Sequence, residues 1–142
     1  MNILVVSAAY YPEISENLIK AANAQIRHLG KKNISTANVP GIFEIPVVIS
    51  NYIKSFDGFI ALGCVIKGKT PHFEFISKAV TNALIELSIT YKKPIGNGII
   101  TCLNKKQALE RSQLKGKWAL KNKGRESARA VLSVLRHLKS IN

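Results

Sequence analysis

The sequence predicts an α/β protein, a three-layer αβα sandwich around a four-stranded parallel sheet. Three observations point there. Short apolar runs alternate with stretches of helical period. The runs are continuous rather than alternating, as in strands covered on both faces. Gly, Pro and Asn punctuate the joins. At 142 residues, the chain has room for one domain with its own core, spanning residues 1–142.

The elements follow in order. Ile3–Ala8 is the first strand. Ser15 is placed to cap a helix carrying Leu18, Ala22, Gln25, Ile26 and Leu29, which Gly30 ends. Ser35–Val39 is a weaker strand, and Pro40-Gly41 turns the chain. Ile45, Val48, Ile49, Tyr52 and Ile53 form a second helical stripe, with Pro46 tolerable only in the first turn. Gly58–Ile66 is the third strand. Phe73, Ile76, Val80, Ala83, Leu84, Leu87 and Tyr91 mark the longest helix, closed by Pro94. Gly98–Leu103 is the fourth strand, Lys105–Arg111 a short helix, and Ala128, Val131, Leu132, Leu135 and Leu138 the stripe of the last helix. In such sheets ligands bind beyond the carboxyl ends of the strands, where the strand order switches. The segments to watch are therefore Ala9–Tyr11, Pro40–Glu44, Lys67–His72 and Asn104–Arg111.

Composition narrows the classes. No stretch approaches the roughly 20 apolar residues of a membrane span. The N-terminus has no basic segment ahead of its short apolar run, so it reads as a strand and not as a secretory signal. Cys64 and Cys102 lie inside apolar runs and read as small buried hydrophobes. No disulfide or metal site is expected, because His28, His72 and His137 lack ligand spacing with each other or with the cysteines. This usage fits a reducing cytoplasm. The net charge is +13, and Lys105 to Lys139 holds eleven Lys/Arg against two Glu. A nucleic-acid surface is one reading. A solvated helical face with a few cations for a small anion fits better, since only Trp118 interrupts the cations as an aromatic and no nucleic-acid motif is present.

Several residues could carry chemistry. Gly68-Lys69-Thr70 is not a P-loop, because Gly63 lies within the strand and Thr70 precedes a proline. The loop nevertheless offers backbone N–H groups, close approach at Gly68 and the Thr70 hydroxyl, ahead of a helix N-terminus that favours an anion. His72 stands at that end. It fits equally a polar cap residue and a group that exchanges protons near neutral pH. Glu44 suits a first helical turn as well as a ligand. Tyr10 and Tyr11 could stack on a flat ring or pack on Pro12. Arg111, by position alone, is better read as a cation complementing a helix C-terminus than as a phosphate fork.

The set is more specific than its members. "VPGIFEIP", "ALGCVIKGKTPHFEFI", "PIGNGIIT", "QALERS" and "KNKG", in this order and at these separations, resemble the lumazine synthases of riboflavin biosynthesis. The resemblance runs from Asn2 to about Leu138. It implies a flavodoxin-like fold, and a transferase that condenses 5-amino-6-(D-ribitylamino)uracil with 3,4-dihydroxy-2-butanone 4-phosphate. The product is 6,7-dimethyl-8-ribityllumazine, and no cofactor or metal is used. It assigns Tyr10 to stacking on the uracil, and Ile42, Phe43 and Glu44 to the ribityl chain and pyrimidine. Cys64, Val65 and Ile66 would meet the pyrimidine edge through backbone. Lys69, Thr70 and Arg111 would hold the phosphate, and His72 would transfer protons. Lys123 matches the family's lysine in "KNKG".

Three departures stand out. Asn97 takes the place of a frequent aromatic that packs from a neighbouring subunit, and can hydrogen-bond to the heterocycle instead. Ala9 replaces a common arginine. The connection from Ser112 to Asn122 is longer than in compact members. The resemblance also implies a homo-oligomer, a pentamer or an icosahedral shell of pentamers, with sites between subunits and riboflavin synthase as a further partner. The short N-terminus and the longer loop favour the pentamer. Within the same fold, an archaeal-type riboflavin synthase or a silent flavin-binding protein are the rival expectations.

Overall fold

The computed structural model describes residues 1–30 and 33–141. Four parallel strands, β1 (Asn2–Ala8), β2 (Asn33–Val39), β3 (Gly58–Ile66) and β4 (Ile95–Cys102), lie in the order β2-β1-β3-β4. The helices are α1 (Pro12–His28), α2 (Ile45–Asn51), α3 (His72–Tyr91), α4 (Lys105–Glu110) and α5 (Lys123–Ile141). Two 3₁₀ turns, Ile42–Glu44 and Ala119–Lys121, complete the order.

Alternation along the strands divides the core into two layers. Ile3, Val5, Ile60, Leu62, Ile100 and Cys102 face α1 and α5, meeting Leu18, Ala22, Val131 and Leu132. Leu4, Val6, Phe59, Ala61 and Ile99 face α2 and α3, meeting Ile45, Ile49, Val80 and Leu84. This is the three-layer sandwich that the sequence predicts. β1 and β3 are buried along nearly their whole length, which is why they read as continuous apolar runs. β2 is an edge strand with most of its residues open, which explains its weak signal.

Two boundaries differ most from expectation. α1 begins at Pro12, in the first turn where its missing N–H costs nothing, and not after Ser15. Ser15 is buried one turn in, and its hydroxyl donates to the Pro12 carbonyl at 3.0 Å. β4 begins at Ile95, three residues before Gly98. Gly96 and Gly98 weaken strand propensity but are used for helix packing. A Cβ at Gly96 would stand 2.6 Å from the Ser127 carbonyl of α5.

One glycine sets up the ligand edge. A Cβ at Gly63 would stand 2.7 Å from Ile42 Cγ2 and 3.2 Å from Ala8 Cβ. Bare backbone here lets the buried Ile42 seat the loop after β2 directly on β3. Gly63→Ala should therefore cost about 1–3 kcal/mol by overpacking. A urea titration reads this as a lowered midpoint. An unchanged midpoint would mean that Ile42 does not need this approach.

Candidate active site

The strand order switches at β1, between β2 on one side and β3 on the other. Beyond the carboxyl ends of β1 and β3 lies an open groove of about 380 Å³. Tyr10 and Tyr11 come from the end of β1, and Ile42, Phe43 and Glu44 from the turn after β2. Cys64, Val65 and Ile66 come from the end of β3, and His72 opens α3. Eight of the sequence-predicted site residues thus converge from the ends of β1 and β3, the turn after β2 and the start of α3.

Their environments suit a flat polar ligand. Tyr10 is 73% exposed and Phe43 66% exposed, so both aromatic faces are open to stacking. Tyr10 stands edge-on to Tyr11, with centroids 4.9 Å apart, and Tyr11 packs on the core. The Gly41 N–H donates to Glu44 Oε1 at 3.1 Å, closing the turn and fixing the carboxylate at the groove. Glu44 therefore fills the helix-start role weighed above and lines the groove as well. His72 is exposed in the first turn of α3, just past Pro71. The Glu74 and Phe75 N–H groups donate to the Pro71 carbonyl at 3.1 and 3.2 Å. The earlier N–H groups of the helix have no partner within it. The loop that carries Lys69 and Thr70 is exposed, and among the described residues beyond its chain neighbours no group comes within 4 Å of a Cβ at Gly68.

Cys64 lines the groove but is no nucleophile. Burial, with Cys102 adding to it, pushes its thiol up to about 12. Burial pushes Cys102 up as well. The two thiols adjoin, and Cys102 Sγ donates weakly to the Val65 carbonyl at 3.7 Å. They behave as the buried hydrophobes that the sequence suggests, and both are free.

The remaining predicted residues lie elsewhere. Arg111 and Lys123 line a second cavity of about 390 Å³, on the α5 side of β4, together with Gln107, Glu110, Trp118 and Glu126. Arg111 caps the C-terminus of α4, and its carbonyl accepts from the Lys123 N–H at 2.8 Å. Lys123 Nζ stands 3.9 Å from Glu126 Oε2. Asn97 is exposed in mid-β4, the open edge strand, four positions before the end that carries Thr101. Its Oδ1 accepts from the Ile99 N–H at 3.2 Å. Within one chain, then, Arg111, Lys123 and Asn97 line no part of the His72 groove, and neither do Lys69 and Thr70. Trp118, whose ring Arg111 overlies, was not among the predicted site residues; its lone place amid cations was the available signal.

A parallel sheet switching at β1, with a groove outside that switch, defines a flavodoxin-like α/β protein of the kind that takes ligands there. The chain belongs to the 6,7-dimethyl-8-ribityllumazine synthase family, whose model matches residues 1–139. Three relatives illustrate the match. A 6,7-dimethyl-8-ribityllumazine synthase 1 from Rhodopseudomonas palustris is 39% identical, over 94% of this chain and 83% of its own length. A 6,7-dimethyl-8-ribityllumazine synthase from Corynebacterium urealyticum is 38% identical, over 99% of this chain and 86% of its own. Another from an Arthrobacter species is 34% identical, over 98% and 85% respectively. No helix among the described residues is long and apolar enough to cross a membrane.

Proposed function

We propose that this protein condenses 5-amino-6-(D-ribitylamino)uracil with 3,4-dihydroxy-2-butanone 4-phosphate to 6,7-dimethyl-8-ribityllumazine, releasing phosphate and water. The observation that carries the reading is the convergence of Tyr10, Phe43, Glu44, the Cys64–Ile66 strand end and His72 on one groove. The open rings of Tyr10 and Phe43 flank the uracil, and the β3 strand end offers N–H and C=O groups to its edge. Glu44 and the turn around Ile42 receive the ribityl chain.

The chemistry asks little of special groups. The uracil's free amine attacks the ketone and an imine forms with loss of water. Elimination of phosphate, ring closure and a second dehydration follow. Each step moves a proton, which is the role of His72. Holding two substrates in reach supplies much of the remaining rate. Lys69 and Thr70, with Arg111, receive the phosphate through charge-assisted bonds.

The separation of Arg111, Lys123 and Asn97 from the His72 groove supports a site shared between copies. An adjacent subunit would present those three residues to the groove of its neighbour, as expected of a cyclic homo-oligomer. The assembly proposed is a pentamer in the cytoplasm, working beside riboflavin synthase. The purified protein given both substrates should produce lumazine fluorescence, and light scattering should report five chains. Riboflavin made from lumazine alone would instead indicate an archaeal-type riboflavin synthase, and a shell-sized particle would overturn the pentamer.

A further inference from the structure

The segment from Ser112 to Asn122 takes no part in the proposed condensation, yet it is firmly built. Both ends are buried. Ser112 Oγ donates to the Ala108 carbonyl at 2.9 Å, closing α4. Asn122 Nδ2 donates to the Gln113 carbonyl at 3.1 Å, and its Oδ1 accepts from the Gly124 N–H at 2.8 Å, opening α5. Between these anchors stands Trp118, half-buried and the chain's single tryptophan.

Three cations surround its ring. Arg111 Cζ lies 5.3 Å from the centroid, Lys121 Nζ 5.4 Å and Lys117 Nζ 6.0 Å. Glu110 and Glu126 line the same cavity. Among the described residues, however, the one ion pair joins Lys123 to Glu126, and none reaches these three cations. Cations that no carboxylate pairs with repel one another, and an arriving anion relieves that repulsion. The ring attracts each cation through its quadrupole, and a flat guanidinium stacks on it with its N–H fork left at the rim.

We propose that Trp118 is a positioning residue. Its ring holds the Arg111 guanidinium so that the fork is set for the phosphate of the four-carbon substrate, with Lys117 and Lys121 adding to the local field. This rests on the assignment of Arg111 to that phosphate. A free arginine loses much rotamer freedom on binding, and one already stacked loses less.

The test uses inorganic phosphate as the probe. In the wild-type protein, phosphate should change the fluorescence of the lone tryptophan, and Arg111→Ala should abolish the change. In calorimetry and steady-state kinetics, Trp118→Leu should raise the phosphate Kd and the KM for the butanone phosphate about two- to fivefold, the scale of an exposed cation–ring contact. The KM for the uracil substrate and kcat should stay nearly constant. Trp118→Phe, which keeps a ring face, should recover part of the loss. If Arg111→Ala weakens phosphate binding but Trp118→Leu does not, the positioning role is overturned while the Arg111 assignment stands. If both KM values rise together in Trp118→Leu and Trp118→Phe, Trp118 is only structural and the proposal fails. If Arg111→Ala changes nothing, both the assignment and the proposal fall.

Discussion

Replacing His72 with alanine is expected to lower kcat about 10- to 100-fold, at or below the low end of the roughly 100- to 10,000-fold typical of a positioned proton-transfer group, because water reaches this exposed position. His72 is exposed, so the substitution should shift stability by no more than about 0.5 kcal/mol. That separates a chemical loss from a folding loss. The imidazole shares its groove with the Cys64–Ile66 strand end and Glu44, where the reacting carbons would lie if the uracil stacks on Tyr10. Added imidazole should restore part of the lost turnover. An unaltered kcat would return His72 to the role of a helix-start residue and leave proton transfer to solvent or substrate.

Arg111→Ala should act on a different parameter. A charge-assisted bond to phosphate contributes about 1.5–3 kcal/mol, so the KM for the butanone phosphate should rise about 10- to 100-fold. The KM for the uracil should hold. Arg111→Lys should recover only part, because an ammonium cannot present two parallel N–H donors. The two variants together test the shared site. If His72 and Arg111 of one site belong to different chains, pentamers assembled from a mixture of the two variants contain some wholly intact sites. Random assortment at equal amounts leaves about one quarter of them intact. Activity that stays at the level of the separate variants would mean that both residues serve from the same chain.

The layered fold was legible because the buried strands could be nothing else. Gly58–Ile66 is covered on both faces, and its bounds in the sequence and in the structure coincide. The start of β4 was harder to see. Gly96 and Gly98 look like turn residues, and only close approaches explain them as strand residues: α5 at Gly96, and both β3 and α5 at Gly98. Ser15 misled in the opposite way. A serine before a helical stripe suggests a cap, but Pro12 already supplies a first-turn residue with no N–H to satisfy. At the groove, the eight residues lie at the carboxyl ends of successive strands or just after them, so strand order brings them together. Arg111, Lys123 and Asn97 belong to motifs equally visible in the sequence. Their distance from the groove within one chain was legible only for Asn97, through the family's aromatic from a neighbouring subunit; for Arg111 and Lys123 no pattern along the chain encodes it.

The base of the Ser112–Asn122 segment has a further consequence. The hydrogen bond from the Lys123 N–H to the Arg111 carbonyl, 2.8 Å long, ties together the two ends of the excursion. Arg111 and Lys123 are thus backbone neighbours whatever lies between them. Lengthening a loop whose ends are already fixed is cheap, about 0.6 kcal/mol for each doubling. The excursion is therefore an interchangeable module. Its residues can be swapped, extended or trimmed between the two anchors while the cations at its base keep their spacing. Substitutions in this stretch can accumulate without disturbing the framework on either side of it.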